Sequence, residues 1–104
     1  MADFVKATEL KDLAPGSLMA VELDGKQIAL ANVDGRIYAF GGTCTHRGGP
    51  LAEGSLEGAV VTCPWHGGRF DVTTGDVVGP PPRENVPVYQ AKVEGGGIEV
   101  APST

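Results

Sequence analysis

The chain has 104 residues and a formal net charge of −5, from 8 Lys and Arg set against 13 Asp and Glu. That length suits a single domain spanning 1–104, and the acidic balance argues against nucleic acid as the main partner, because phosphate binding needs a basic face. No stretch approaches the ~20 apolar residues of a membrane helix. Residues 1–6 have neither the basic start nor the apolar run of a signal peptide, so the cytoplasm is the expected location.

Hydrophobic residues make up 41% and charged residues 20%, a globular balance; 16 Gly and 8 Pro with no repeat period predict many turns between short strands rather than a helical bundle. A first strand is expected over 4–7, and 8–13 can hold at most one helical turn before Pro15-Gly16 stops it. From Met19 the pattern alternates, with Met19, Val21 and Leu23 on one face and Ala20 and Glu22 on the other. Asp24-Gly25 follows, then 26–32 with Ile28 and Leu30 in phase, then Asp34-Gly35 and 36–40. Asp-Gly between alternating segments is a strong hairpin signal, since both central residues of a type I′ turn take positive φ. Two such turns predict three consecutive antiparallel strands.

The stretch 41–82 differs in character and reads as a loop-rich insert in a β scaffold. It contains both Cys and both His, punctuated by Gly41-Gly42, Gly48-Gly49-Pro50, Gly67-Gly68 and the Gly79–Pro82 run. Within it, 59–62 suits a short buried strand, and 70–72 with 76–78 suits a hairpin. Plain strands return over 86–93 and 98–101 around a turn at 94–97.

Cys44-Thr45-His46 and Cys63-Pro64-Trp65-His66 each offer one thiolate and one imidazole within a few residues, so two loops can converge on one metal centre. Three readings compete. Cys44 and Cys63 could be plain buried residues beside surface histidines, although that requires every Cys and His in the chain to pair by chance. A structural zinc site suits the ligand types, but its usual signature is a Cys pair followed by a His pair. The third reading is a [2Fe-2S] centre with two Cys on one iron and two His on the other.

At this point the sequence resembles the Rieske family. Cys44-Thr45-His46 and Cys63-Pro64-Trp65-His66-Gly67 match its C-x-H and C-P-x-H-G boxes, and 79–82 is similar to its proline loop. The motif resemblance covers about 35–90. It implies an all-β Rieske iron–sulfur fold, an antiparallel β-sandwich with the cluster-binding subdomain (about 41–82) inserted. It also implies one Rieske [2Fe-2S] cluster per chain, with Cys44 and Cys63 on the inner iron and His46 and His66 on the outer one. Arg47, Pro64, Trp65, Gly67, Gly68 and Pro81 would surround it. Arg47, Arg69 and Arg83 would make the cluster tip locally basic or neutral within an acidic chain, facing an acidic patch on the partner.

Departures from the pattern narrow the type. Respiratory members resemble C-T-H-x-x-C and C-P-C-H, with a disulfide between the loops; Gly49 and Trp65 stand at those positions here. Their Ser and Tyr after the second box are Gly68 and Phe70 here, so hydroxyl donors to the sulfurs are missing and the potential is expected at the low end of the range. Both histidines are committed to the cluster, which leaves none for an oxygenase's mononuclear iron. The chain therefore looks like the ferredoxin component of bacterial aromatic-ring dioxygenases: not an enzyme, but a one-electron carrier. Its implied partners are an NADH-dependent flavoprotein reductase and a terminal oxygenase. The small Rieske-like subunit of assimilatory nitrite reductase and a zinc-stabilised binding module are the alternatives.

Overall fold

Two Asp-Gly turns organise the first half of the protein, which we describe from a computed structural model covering residues 3–45, 48–65, 67–80 and 82–102. Asp24 and Gly25 take φ of 54° and 73°, and Asp34 and Gly35 take 53° and 95°. These turns join β2 (Leu18–Leu23), β3 (Lys26–Val33) and β4 (Arg36–Gly41) into the expected antiparallel meander. Before it come β1 (Val5–Glu9), which runs two residues past the expected strand, and a single 3-10 turn, Leu10–Asp12, within the one turn expected before Pro15-Gly16.

The C-terminal hairpin of β9 (Val88–Glu94) and β10 (Gly97–Ala101) completes a six-stranded sheet in the order β1-β10-β9-β4-β3-β2. Its edge strands β1 and β2 approach one another, so the sheet nearly closes into a barrel. β9 begins two residues later than the sequence suggests, after Pro87, which has no N–H to give a ladder. A second, four-stranded antiparallel sheet is inserted between β4 and β9. It comprises β5 (Ser55–Glu57), β6 (Val60–Thr62), β7 (Arg69–Asp71) and β8 (Val77–Gly79) in sequential order. Sequence reading missed β5 and the 3-10 turn Leu51–Glu53 before it, because three-residue elements carry too little periodicity to register.

β3 explains how the two sheets share a core. Successive side chains of a strand face opposite ways. Ile28 and Leu30 point into the barrel with Leu13, Ala39, Ile98 and Val100. Ala29 and Ala31 face the other way, into a layer with Phe40, Leu51, Val61, Phe70, Val72 and Val86. Small alanines on that face let the second sheet approach closely. Both cysteines belong to this second layer.

Candidate metal centre

Two loops of matching construction present the cysteines. In the first, the Cys44 amide donates to the Gly49 carbonyl (2.8 Å) and the Gly48 amide donates to the Cys44 carbonyl (2.8 Å). In the second, the Cys63 amide donates to the Gly68 carbonyl (2.7 Å) and the Gly67 amide to the Cys63 carbonyl (3.1 Å). Gly48 and Gly67 occupy the same place in the two turns and have φ of 75° and 76°, the left-handed region that glycine enters without steric cost. The repeated Cys-x-x-x-Gly-Gly spacing is visible in the sequence, and it is the signal that would have added Gly48 to the expected site residues.

The loops interlock at the sulfurs. Cys44 and Cys63 are 5% and 2% exposed, and neither is in a disulfide. A Cβ on Gly49 would sit 2.8 Å from the Cys63 Sγ, and one on Gly68 would lie 3.8 Å from the Cys44 Sγ. Each loop's second glycine thus leaves space beside the other loop's cysteine. The Trp65 amide donates to the Cys63 Sγ at 3.5 Å. Burial pushes the Cys63 thiol above its ordinary pKa; the Trp65 amide opposes this, and the adjacent Cys44 sulfur adds to it.

The surroundings anchor both loops. The Gly42 amide donates to the Gln27 carbonyl (2.8 Å) and the Leu51 amide to the Gly42 carbonyl (3.0 Å), fixing the first loop to β3. The Thr45 hydroxyl donates to the Glu84 carbonyl (2.6 Å), tying that loop to the segment after the proline run. Pro82 is buried, with its ring Cδ 2.6 Å from where a Gly68 Cβ would be. No side chain fits at 68 unless Pro82 moves, so a sulfur-directed hydroxyl has no room there. Phe70 is fully buried in the shared layer and carries no hydroxyl either.

Of the other expected surroundings, Pro64, Trp65 and Gly67 are exposed on the second loop, and Gly68 is buried. Arg69 and Arg83 are exposed. His46, Arg47, His66 and Pro81 lie outside the described residues.

The described half of the expected ligand set, Cys44 and Cys63, fits an iron–sulfur centre. Two soft donors lie together among apolar residues, and a bound cation is what would hold them as thiolates. Residues 3–90 match the Rieske [2Fe-2S] domain family. The chain belongs to the Rieske family. It is 40% identical over 91 residues to the ferredoxin component of the naphthalene 1,2-dioxygenase system of Pseudomonas putida, covering 88% of each chain. It is 41% identical over 98 residues to the biphenyl dioxygenase ferredoxin subunit of Pseudomonas sp. strain KKS102, covering 93% of this chain and 90% of that one. Its fold is similar to a chain in the complex of reduced oxygenase and oxidized ferredoxin in carbazole 1,9a-dioxygenase. There the TM-score is 0.89 at 35% identity, with 94% of this chain and 92% of that one covered. This Rieske protein is thus a ferredoxin of the aromatic-dioxygenase type, with a Rieske [2Fe-2S] cluster and an electron-transfer role rather than a catalytic one.

Proposed function

We propose that Cys44, Cys63, His46 and His66 hold the single cluster, and that the protein carries single electrons from an NADH-dependent flavoprotein reductase to a terminal oxygenase in aromatic-compound degradation. The observation that carries the ligand assignment is the burial of Cys44 and Cys63 in one pocket, at equivalent points of two interlocked loops. The pairing of a ferredoxin with its oxygenase in the carbazole system supports the second half. When bound, the cluster supplies a one-electron couple that runs from zero to minus one charge, because two neutral imidazoles stand where an all-thiolate site has two anions.

The chain's own residues orient and shelter that couple. The glycines at 48, 49, 67 and 68 shape the loops, and Pro82 backs the second one. Arg47, Pro64 and Pro81 complete the surroundings, and the arginines at 47, 69 and 83 favour an acidic patch on the partner. Residues 41–82 form the cluster-bearing part of one domain spanning the chain. Cytoplasmic residence suits cysteines kept for metal rather than for disulfides.

Anaerobically purified protein, reduced with dithionite, is expected to give a rhombic EPR signal of low average g, with two irons and no zinc per chain. Cys44→Ser, Cys63→Ser, His46→Ala and His66→Ala should each abolish it. A colourless protein with one zinc, or a His66→Ala variant with the wild-type spectrum, overturns the assignment. For the partner reading, NADH with a dioxygenase-system flavoprotein reductase should reduce the protein, and the reduced protein should then lose its electron to the oxygenase.

A further inference from the structure

Gly49 is glycine for reasons of space. Its φ lies outside the left-handed region, so its backbone is open to any residue, yet it is buried and a Cβ there has nowhere to go. The position such a Cβ would take is 2.8 Å from the Cys63 Sγ and 3.0 Å from both Cγ and Cδ2 of Trp65. The indole and the sulfur of the second loop therefore rest on the same bare patch of the first. Trp65 is itself 50% exposed, so half of the indole is turned toward protein and half toward water. Its amide is the group that donates to the Cys63 Sγ. One residue thus touches the sulfur through its backbone and the opposite loop through its ring.

We propose that Trp65 is a positioning residue, a non-covalent clasp that seats the second loop on Gly49 and keeps water away from the Cys63 sulfur. The inference rests on Cys63 being a cluster ligand. Cys44 and Cys63 are the only cysteines in the chain, so no disulfide can join the loops at 49 and 65. Contact between the bare Gly49 surface and the ring takes over that task. Because the contact is apolar and half-exposed, the clasp can open without unfolding either sheet, and it governs retention of the cluster more than stability of the fold.

The test compares wild type with Trp65→Ala, Trp65→Phe and Gly49→Ala. Cluster loss is followed by visible absorbance with a strong iron chelator present, and the midpoint potential is measured on the same samples. Trp65→Ala should release iron about tenfold faster, since roughly half of an indole's apolar surface is taken from the contact. Its potential should rise as water reaches the sulfur, and Trp65→Phe should restore most of the wild-type rate. Trp65 is the sole tryptophan, so Gly49→Ala gives a readout that needs no metal: emission of the cluster-free protein should shift to the red as the indole is pushed outward. Wild-type release and potential in Trp65→Ala overturn the clasp, as does unshifted emission in Gly49→Ala. A Trp65→Ala protein that only transfers electrons poorly to the oxygenase, with unchanged release, overturns it in favour of a docking role. If wild-type protein takes up no cluster, the ligand assignment falls and the clasp's role with it.

Discussion

Gly67 and Gly68 are neighbours in the second loop, yet substitution should harm them for different reasons. A Cβ on Gly67 meets nothing within 4 Å, but the residue has φ of 76°. Alanine there carries only the cost of left-handed backbone, roughly 1–2 kcal/mol. At Gly68, where φ is outside that region, a Cβ would lie 2.6 Å and 2.7 Å from Cδ and Cγ of the Pro82 ring. Comfortable carbon contacts are about 3.5–4.0 Å, so Gly68→Ala forces the buried proline back by about 1 Å, an overpacking cost of about 1–3 kcal/mol. The alanine variants can therefore lose similar stability, and asparagine separates them. Asn tolerates the left-handed region, so Gly67→Asn should be more stable than Gly67→Ala, whereas Gly68→Asn should be worse than Gly68→Ala. Trimming the obstacle in a Gly68→Ala/Pro82→Ala double variant should recover much of the loss at 68 and none of the loss at 67. Urea midpoints of anaerobic holoprotein, with iron release measured in parallel, give the ranking. A Gly68→Asn protein at least as stable as Gly68→Ala would refute the assignment of Gly68 to packing against Pro82.

Three further outcomes follow from the scaffold. Asn32 is 3% exposed, donates from Nδ2 to the Leu13 carbonyl (2.8 Å) and accepts the Gly35 amide at Oδ1 (2.8 Å); Asn32→Ala leaves two groups unpaired and should cost about 2–4 kcal/mol in chemical denaturation. Phe70→Ala, in the layer that holds both cysteines, should cost about 3–5 kcal/mol and weaken cluster retention, measured as unfolding midpoint and iron content. The Asp71 carboxylate accepts from the Thr73 hydroxyl (2.6 Å) and amide (2.9 Å), and those bonds lower its pKa below the ordinary 3.8. A depressed carboxylate stabilises the fold when ionised, so its contribution is present above about pH 4 and disappears as pH falls through the lower folded value. The stability gap between wild type and Asp71→Asn should accordingly shrink on acidification below pH 4, and a gap independent of pH from 7 to 3 contradicts this.

The local code of the chain was enough for the meander, because Asp24-Gly25 and Asp34-Gly35 specify turns by backbone conformation and the strands between them alternate strictly. It also singled out Cys44-Thr45-His46 and Cys63-Pro64-Trp65-His66 as the candidate ligand boxes, since no other part of the chain contains Cys or His. The boundaries of β7, β8 and β9 slipped by a residue or two, since Gly, Pro and three-residue strands leave little periodicity to read. Nothing local separates Ala29 and Ala31 from ordinary exposed strand positions. They are buried because a second sheet, built from residues 55–79 and so beyond both of their hairpin partners β2 and β4, folds back over them. Likewise, glycine at 48 and 67 can be anticipated from turn chemistry, whereas glycine at 49 and 68 cannot. Those two are required by what lies across from them, the Trp65 ring and Cys63 sulfur in one case and Pro82 in the other. Backbone conformation is a property of neighbours in sequence; free space around a Cα is set by residues distant in the chain, and only the folded protein reveals it.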